Sequence, residues 1–99
     1  MPEKKQEAHF VIAIIKVLPD DIYDDKEMEA IKKKIVAVLK PLNTVVEASQ
    51  LEEVAYGLRA FKMRIKIPEE TEGGTEPIEE AIQTVEGIQR AEVEMVSRL

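Results

Sequence analysis

Residues 54–67 read VAYGLRAFKMRIKI. From Phe61 onward the stretch alternates. Phe61, Met63, Ile65 and Ile67 take one parity, and Lys62, Arg64 and Lys66 take the other. Successive strand side chains point to opposite faces of a sheet, so this segment predicts a strand with one buried and one charged face. Such a sheet needs a covering layer on one side only.

The rest of the chain supplies that layer. Upstream, His9 to Leu18 is rich in β-branched residues and its first half is apolar on both parities, as a central strand requires. Pro19-Asp20-Asp21 breaks it. Met28, Ile31, Ile35, Val38 and Leu39 then recur at spacings of three and four, which predicts a helix from Asp25 to Lys40 with one apolar stripe. Asp24 or Asp25 caps its start, and Pro41 stops it. Thr44 to Leu51 reads as a more polar edge strand, joined through Glu52 and Glu53 to the strand Val54 to Ile67.

Downstream, Pro68 ends that strand and Glu69 to Gly74 is a loop. A second helix follows from Glu76 to Val85, with Thr75 as N-cap and Ile78, Ala81, Ile82 and Val85 inward. Gly87 closes it. The last strand spans Ile88 to Arg98, with Val93 and Met95 on the core side and Glu92, Glu94 and Arg98 opposite. The order β-α-β-β-α-β predicts an α+β, ferredoxin-like two-layer sandwich. Its antiparallel four-stranded sheet has the order 4-1-3-2, with two helices on one face.

The 99 residues correspond to a single domain, 1–99, with a flexible polar lead over 1–7. The net charge of −6 argues against direct nucleic-acid binding, which needs a basic face. The absence of cysteine excludes disulfides and thiolate metal sites. Phe10 to Ile15 is the longest apolar run, far short of the ~20 residues that span a membrane. With no signal-peptide pattern at the start, the expectation is a cytoplasmic protein without a membrane role.

Several stretches invite a chemical reading. Gly73-Gly74-Thr75 before a helix resembles a phosphate cradle, but no lysine follows and glutamates surround it. Asp20, Asp21, Asp24, Asp25 and Glu27 offer hard oxygens to a cation, yet lack the spacing of a calcium loop and equally complement a helix N-terminus. His9 has no nucleophile near it. Lys16, Lys62, Arg64 and Lys66 form a basic stripe on the uncovered face, where Glu92 and Glu94 can pair with them across strands. Paired aromatics of the kind that stack RNA bases are missing there. Ala55-Tyr56-Gly57-Leu58-Arg59 combines an aromatic, a strand-weakening glycine and a cation. That suggests either a contact surface or local core.

Three stretches together resemble the guanine-nucleotide exchange domain of translation elongation factor 1-beta, most closely its short archaeal form. They are Lys16-Val17-Leu18-Pro19 with Asp24-Asp25 and the helix from Glu27, Val54 to Ala60, and Glu72 to Glu76 with the terminal Val96-Ser97-Arg98-Leu99. The resemblance covers nearly all the chain from about residue 9. It implies a partner, the GTPase elongation factor 1-alpha, with neither cofactor nor chemistry of its own, and a free state that is monomeric. Exchange would consist of promoting GDP release and GTP reloading during translation elongation. Eukaryotic relatives carry a lysine next to the C-terminal residue that reaches toward the GTPase's magnesium site. Arg98 stands in the matching place, with Leu99 after it. A guanidinium is larger and forks its hydrogen bonds, so it does not act as the same point charge. Tyr56 matches the family's exposed aromatic, with Gly57 and Arg59 beside it.

A rival class shares the predicted fold: a small-molecule regulatory module that dimerises and holds an amino acid between subunits. Against it, the glycine-rich loop precedes the second helix and does not follow the first strand. A metal chaperone is opposed by the missing cysteine pair.

Overall fold

A computed structural model describes residues 10–68 and 75–98. The elements are β1 (Phe10–Pro19), α1 (Asp25–Leu39), a 3-10 turn at Lys40–Leu42, β2 (Val45–Ala55), β3 (Leu58–Pro68), α2 (Glu76–Gln83) and β4 (Ile88–Arg98). The sheet runs β2-β3-β1-β4 with every pair antiparallel. This is the expected order read from the other edge, and the fold is the ferredoxin-like sandwich.

The alternation quoted above sets the core. Phe61, Met63, Ile65 and Ile67 of β3 are buried with Ala13, Ile15 and Val17 of β1. Met28, Ile31, Ile35 and Leu39 of α1 and Ile78 and Ile82 of α2 close over them. Replacing one of these large aliphatic side chains by alanine costs about 2–5 kcal/mol, because the cavity left behind does not collapse fully. Asp24 caps α1 through a capping box: Glu27 N–H donates to its carboxylate at 2.8 Å, and Asp24 N–H donates to Glu27 at 3.1 Å. Thr75 stands at the N-cap of α2 but makes no side-chain capping bond. Gly87 has φ +97, and a Cβ there would stand 3.3 Å from Ile31 Cδ1, so both conformation and space call for glycine.

Two expectations need correction. There is no link at Glu52-Glu53. β2 continues to Ala55, the turn is Tyr56-Gly57, and β3 starts at Leu58. Tyr56 therefore does not open a strand; it sits at the tip of a hairpin.

The second correction concerns β4. Ile15 pairs with Val93 but Ile14 pairs with Met95, so Glu94 is an inserted residue. One extra residue reverses every parity beyond it. Met95 consequently emerges on the uncovered face and is 57% exposed, not on the core side with Val93. Arg98 takes the register position opposite Val11, on the parity of Ala13 and Ile15 and not on that of Glu92. The Val93 N–H donates to Glu79 of α2 at 3.1 Å, which ties the bulge to the helix layer.

Among the described residues no helix is long and apolar enough to cross a membrane.

Candidate functional site

At the β2–β3 tip, Tyr56 has φ +49 and Gly57 φ +85. Two-residue hairpin loops favour mirror-image turns, whose twist matches that of the strands, and the type I′ form has positive φ at both central positions. Asn, Asp and Gly usually occupy them. A tyrosine in the left-handed region costs on the order of 1 kcal/mol. The fold offers no contact in return, since Tyr56 is 96% exposed. That excludes the local-core reading. The turn is held by the Ala55–Leu58 pair and by the Gly57 N–H, which donates to Glu53 Oε2 at 3.3 Å.

Arg59 follows, on the helix-covered side. Its guanidinium donates to Asp25 Oδ1 at 2.7 Å and to the Tyr23 carbonyl at 3.0 Å. Of the residues singled out at this end, Arg59 is thus already engaged within the chain. Its bonds join the hairpin to the β1–α1 loop. In that loop the Tyr23 hydroxyl donates to Asp20 at 2.6 Å, and Asp20 N–H donates to the Gly87 carbonyl at 2.9 Å. The bond to Asp20, aided by partial burial and by the negative charges of Asp20, Asp21 and Glu27, pushes the Tyr23 phenol up to about 12.

The acidic residues here have structural partners. Asp24 caps α1, Asp20 accepts from Tyr23, Asp21 accepts from the Ile22 N–H and Asp25 pairs with Arg59. Among the described residues no group of three or more His, Asp or Glu side chains converges on a metal-sized site.

One exposed apolar residue at this end was not singled out by the sequence reading. Ile22 is 60% exposed, and its Cδ1 lies 4.0 Å from where a Gly57 Cβ would be. The signal was available: Ile22 and Tyr23 are the only apolar residues between Pro19 and Lys26, set among four aspartates.

The uncovered face carries cross-strand pairing, but among the described residues only Glu94 of the two expected partners reaches the basic stripe; the others come from β2. Arg64 meets Glu47 at 3.2 Å, Lys62 meets Glu94 at 3.6 Å, and Lys16 meets Glu52 at 4.0 Å. Arg90 meets Glu92 at 3.5 Å along β4. Each such exposed pair is worth under ~1 kcal/mol; they engage Lys16, Lys62 and Arg64 of the basic stripe, while the Lys66 ammonium lies 4.3 Å from the centre of the Phe10 ring. A shallow depression of about 390 Å3 lies among Ile14, Gln50, Lys62, Arg64, Glu94 and Met95.

The remaining site residues lie elsewhere. Arg98 is level with Val11, whereas Leu58 lies three residues beyond the Val17–Phe61 pair. The length of the sheet, roughly 30 Å at ~3.3 Å per residue, therefore separates Arg98 from Tyr56, Gly57 and Arg59. The Arg98 backbone ends β4, while Leu99, His9, Gly73 and Gly74 lie outside the described residues.

Comparison with known proteins places this arrangement. The sequence profile described as the EF-1 guanine nucleotide exchange domain matches residues 12–99. Elongation factor 1-beta of Staphylothermus marinus is 44% identical over 89 residues, covering 90% of this chain and 96% of the relative. The proteins of the same name from Aeropyrum pernix and Thermofilum pendens are 42% and 44% identical, covering 90% and 89% of this chain and 96% and 93% of their own lengths. On a profile spanning most of its length and relatives at this identity, the chain belongs to the EF-1 guanine nucleotide exchange domain family.

Proposed function

We propose that this chain is the exchange factor of an elongation factor 1-alpha GTPase, promoting GDP release and GTP reloading during translation elongation. It acts as a single domain and a monomer, by binding alone, with no chemistry of its own. The observation that carries the reading is Tyr56: an almost fully exposed aromatic held in a costly conformation at a tip whose fold does not need it. Backbone strain without structural return points to function, and membership of the exchange-domain family supports nucleotide exchange as that function.

The two ends of the sheet divide the work. Tyr56 and Gly57 form the contact end. Arg98 ends the other, where a cation beside the nucleotide site would compete with magnesium for acidic ligands and phosphate oxygens. Their separation of roughly 30 Å suits a factor that spans two regions of one GTPase. A thousandfold acceleration of release requires lowering the barrier by about 4 kcal/mol, since each tenfold is ~1.4 kcal/mol. Lost magnesium and phosphate contacts supply energies of that size.

Linkage tests the proposal. A factor that weakens GDP binding must itself be weakened by GDP to the same degree. Titration of the chain against elongation factor 1-alpha should give tight binding to the nucleotide-free form and at least tenfold weaker binding with saturating Mg²⁺ and GDP. Equal affinity for both forms would rule exchange out.

A further inference from the structure

Ile22 does not protrude through slackness of its loop. Pro19 ends β1 in the core, and the next residue is tied by its N–H to the Gly87 carbonyl at 2.9 Å. The Ile22 N–H itself donates to Asp21 Oδ1 at 2.7 Å, Tyr23 bonds back to Asp20, and the Tyr23 carbonyl accepts from Arg59. A loop with this many bonds presents an aliphatic side chain at 60% exposure beside Gly57, one residue from the exposed Tyr56. Four aspartates flank Ile22 and Tyr23 in sequence. An exposed apolar side chain among charged neighbours is the composition of a contact patch rather than of a solvated loop.

We infer that Ile22 is a second contact residue beside Tyr56, and that Arg59 is a positioning residue that holds the two together. Arg59 is the only described residue whose side chain bonds the hairpin strand to the β1–α1 loop. Its ion pair with Asp25 and its bond to the Tyr23 carbonyl fix the loop on both sides of its last turn before α1. The guanidinium fork suits this task, since two differently placed acceptors are held by one planar group. Arg59 thus acts through Ile22, with its own charge already satisfied. This rests on the exchange reading, and the occupant of the patch is the GTPase of that reading.

The test is release of a fluorescent GDP analogue from the GTPase as the concentration of the chain is raised. The half-saturating concentration reports contact, and the maximal rate reports displacement of nucleotide. Ile22→Ser should raise the half-saturating concentration about fivefold with the maximal rate unchanged, as for loss of an apolar contact at an interface. Arg59→Ala should do the same, and Arg59→Lys should recover part of the loss by keeping the charge opposite Asp25. If Arg59 acts through Ile22, the double variant Ile22→Ser/Arg59→Ala should bind little worse than the poorer single variant, because coupled residues do not add. Additive losses would overturn the positioning role, and an unchanged Ile22→Ser would overturn the contact. Ile22→Ser changes an exposed residue, so melting should stay near that of the parent and keep this arm interpretable. A parent chain that fails to speed release overturns the exchange reading itself. One that does so while both single variants match it overturns only this inference.

Discussion

At Tyr56 the fold gains nothing from the residue it carries. The turn prefers asparagine or glycine at a positive φ, and the 96% exposed tyrosine gains no packing. Tyr56→Asn should therefore leave melting unchanged or raise it slightly, by up to ~1 kcal/mol of relieved strain. In the release assay it should raise the half-saturating concentration about tenfold or more, in the range of interface aromatics. A melting temperature that falls with contact intact would return Tyr56 to a structural role. The sequence marked Tyr56, Gly57 and Arg59 as a group, because an aromatic, a glycine and a cation stand together. It did not show that Arg59 is already paired. The partners Asp25 and Tyr23 lie 34 and 36 positions away, and only the folded chain brings them within 3.0 Å. Ile22 was legible as an apolar residue among aspartates, but its neighbour Gly57 is again a product of the fold.

Among the elements, β3 and both helices follow from periodicity, since their apolar positions recur at two or at three and four, and β1 follows from its run of β-branched apolar residues. The β2–β3 hairpin did not follow. Tyr-Gly is an uncommon turn pair, whereas Glu52-Glu53 looks polar enough to be a link. The β4 bulge is invisible in sequence because Val93-Glu94-Met95 alternates without fault, yet the chain inserts Glu94 and turns Met95 outward. The β1–α1 loop carries a pH signature. The Tyr23 phenol donates to Asp20 only while protonated, and its pKa is raised from 10 to about 12. The folded state holds this proton more tightly than the unfolded one. The bond's contribution is thus complete below pH 10 and lost as pH rises through about 12. Chemical denaturation from pH 9 to 12 should show parent stability falling toward that of Tyr23→Phe, which lacks this loss. Parallel curves would contradict the assignment.

For the whole molecule, the sheet sets roughly 30 Å between Tyr56 and Arg98. The net charge of −6 and the ion pairs of Lys16, Lys62 and Arg64 fit a protein partner. The sandwich and its strand order were legible from the order of elements alone. The separation of Tyr56 from Arg98 was implicit in that order, because β3 starts where β4 starts and both ends of each strand are set by antiparallel pairing. The register of Arg98 was not, since it depends on the bulge. Arg98 is the last residue of the edge strand β4, and its substitution is expected to cost within about 0.5 kcal/mol. The division of labour between the ends can be read in one experiment: release of a fluorescent GDP analogue from elongation factor 1-alpha, with the parent chain and with Arg98→Ala, across chain and Mg²⁺ concentrations. The parent should accelerate release in a saturable way. Arg98→Ala should lower the maximal rate at least tenfold with its half-saturating concentration and melting nearly unchanged, and Arg98→Lys should retain much of the rate. Release no faster with the parent chain than without it would contradict the account at its centre.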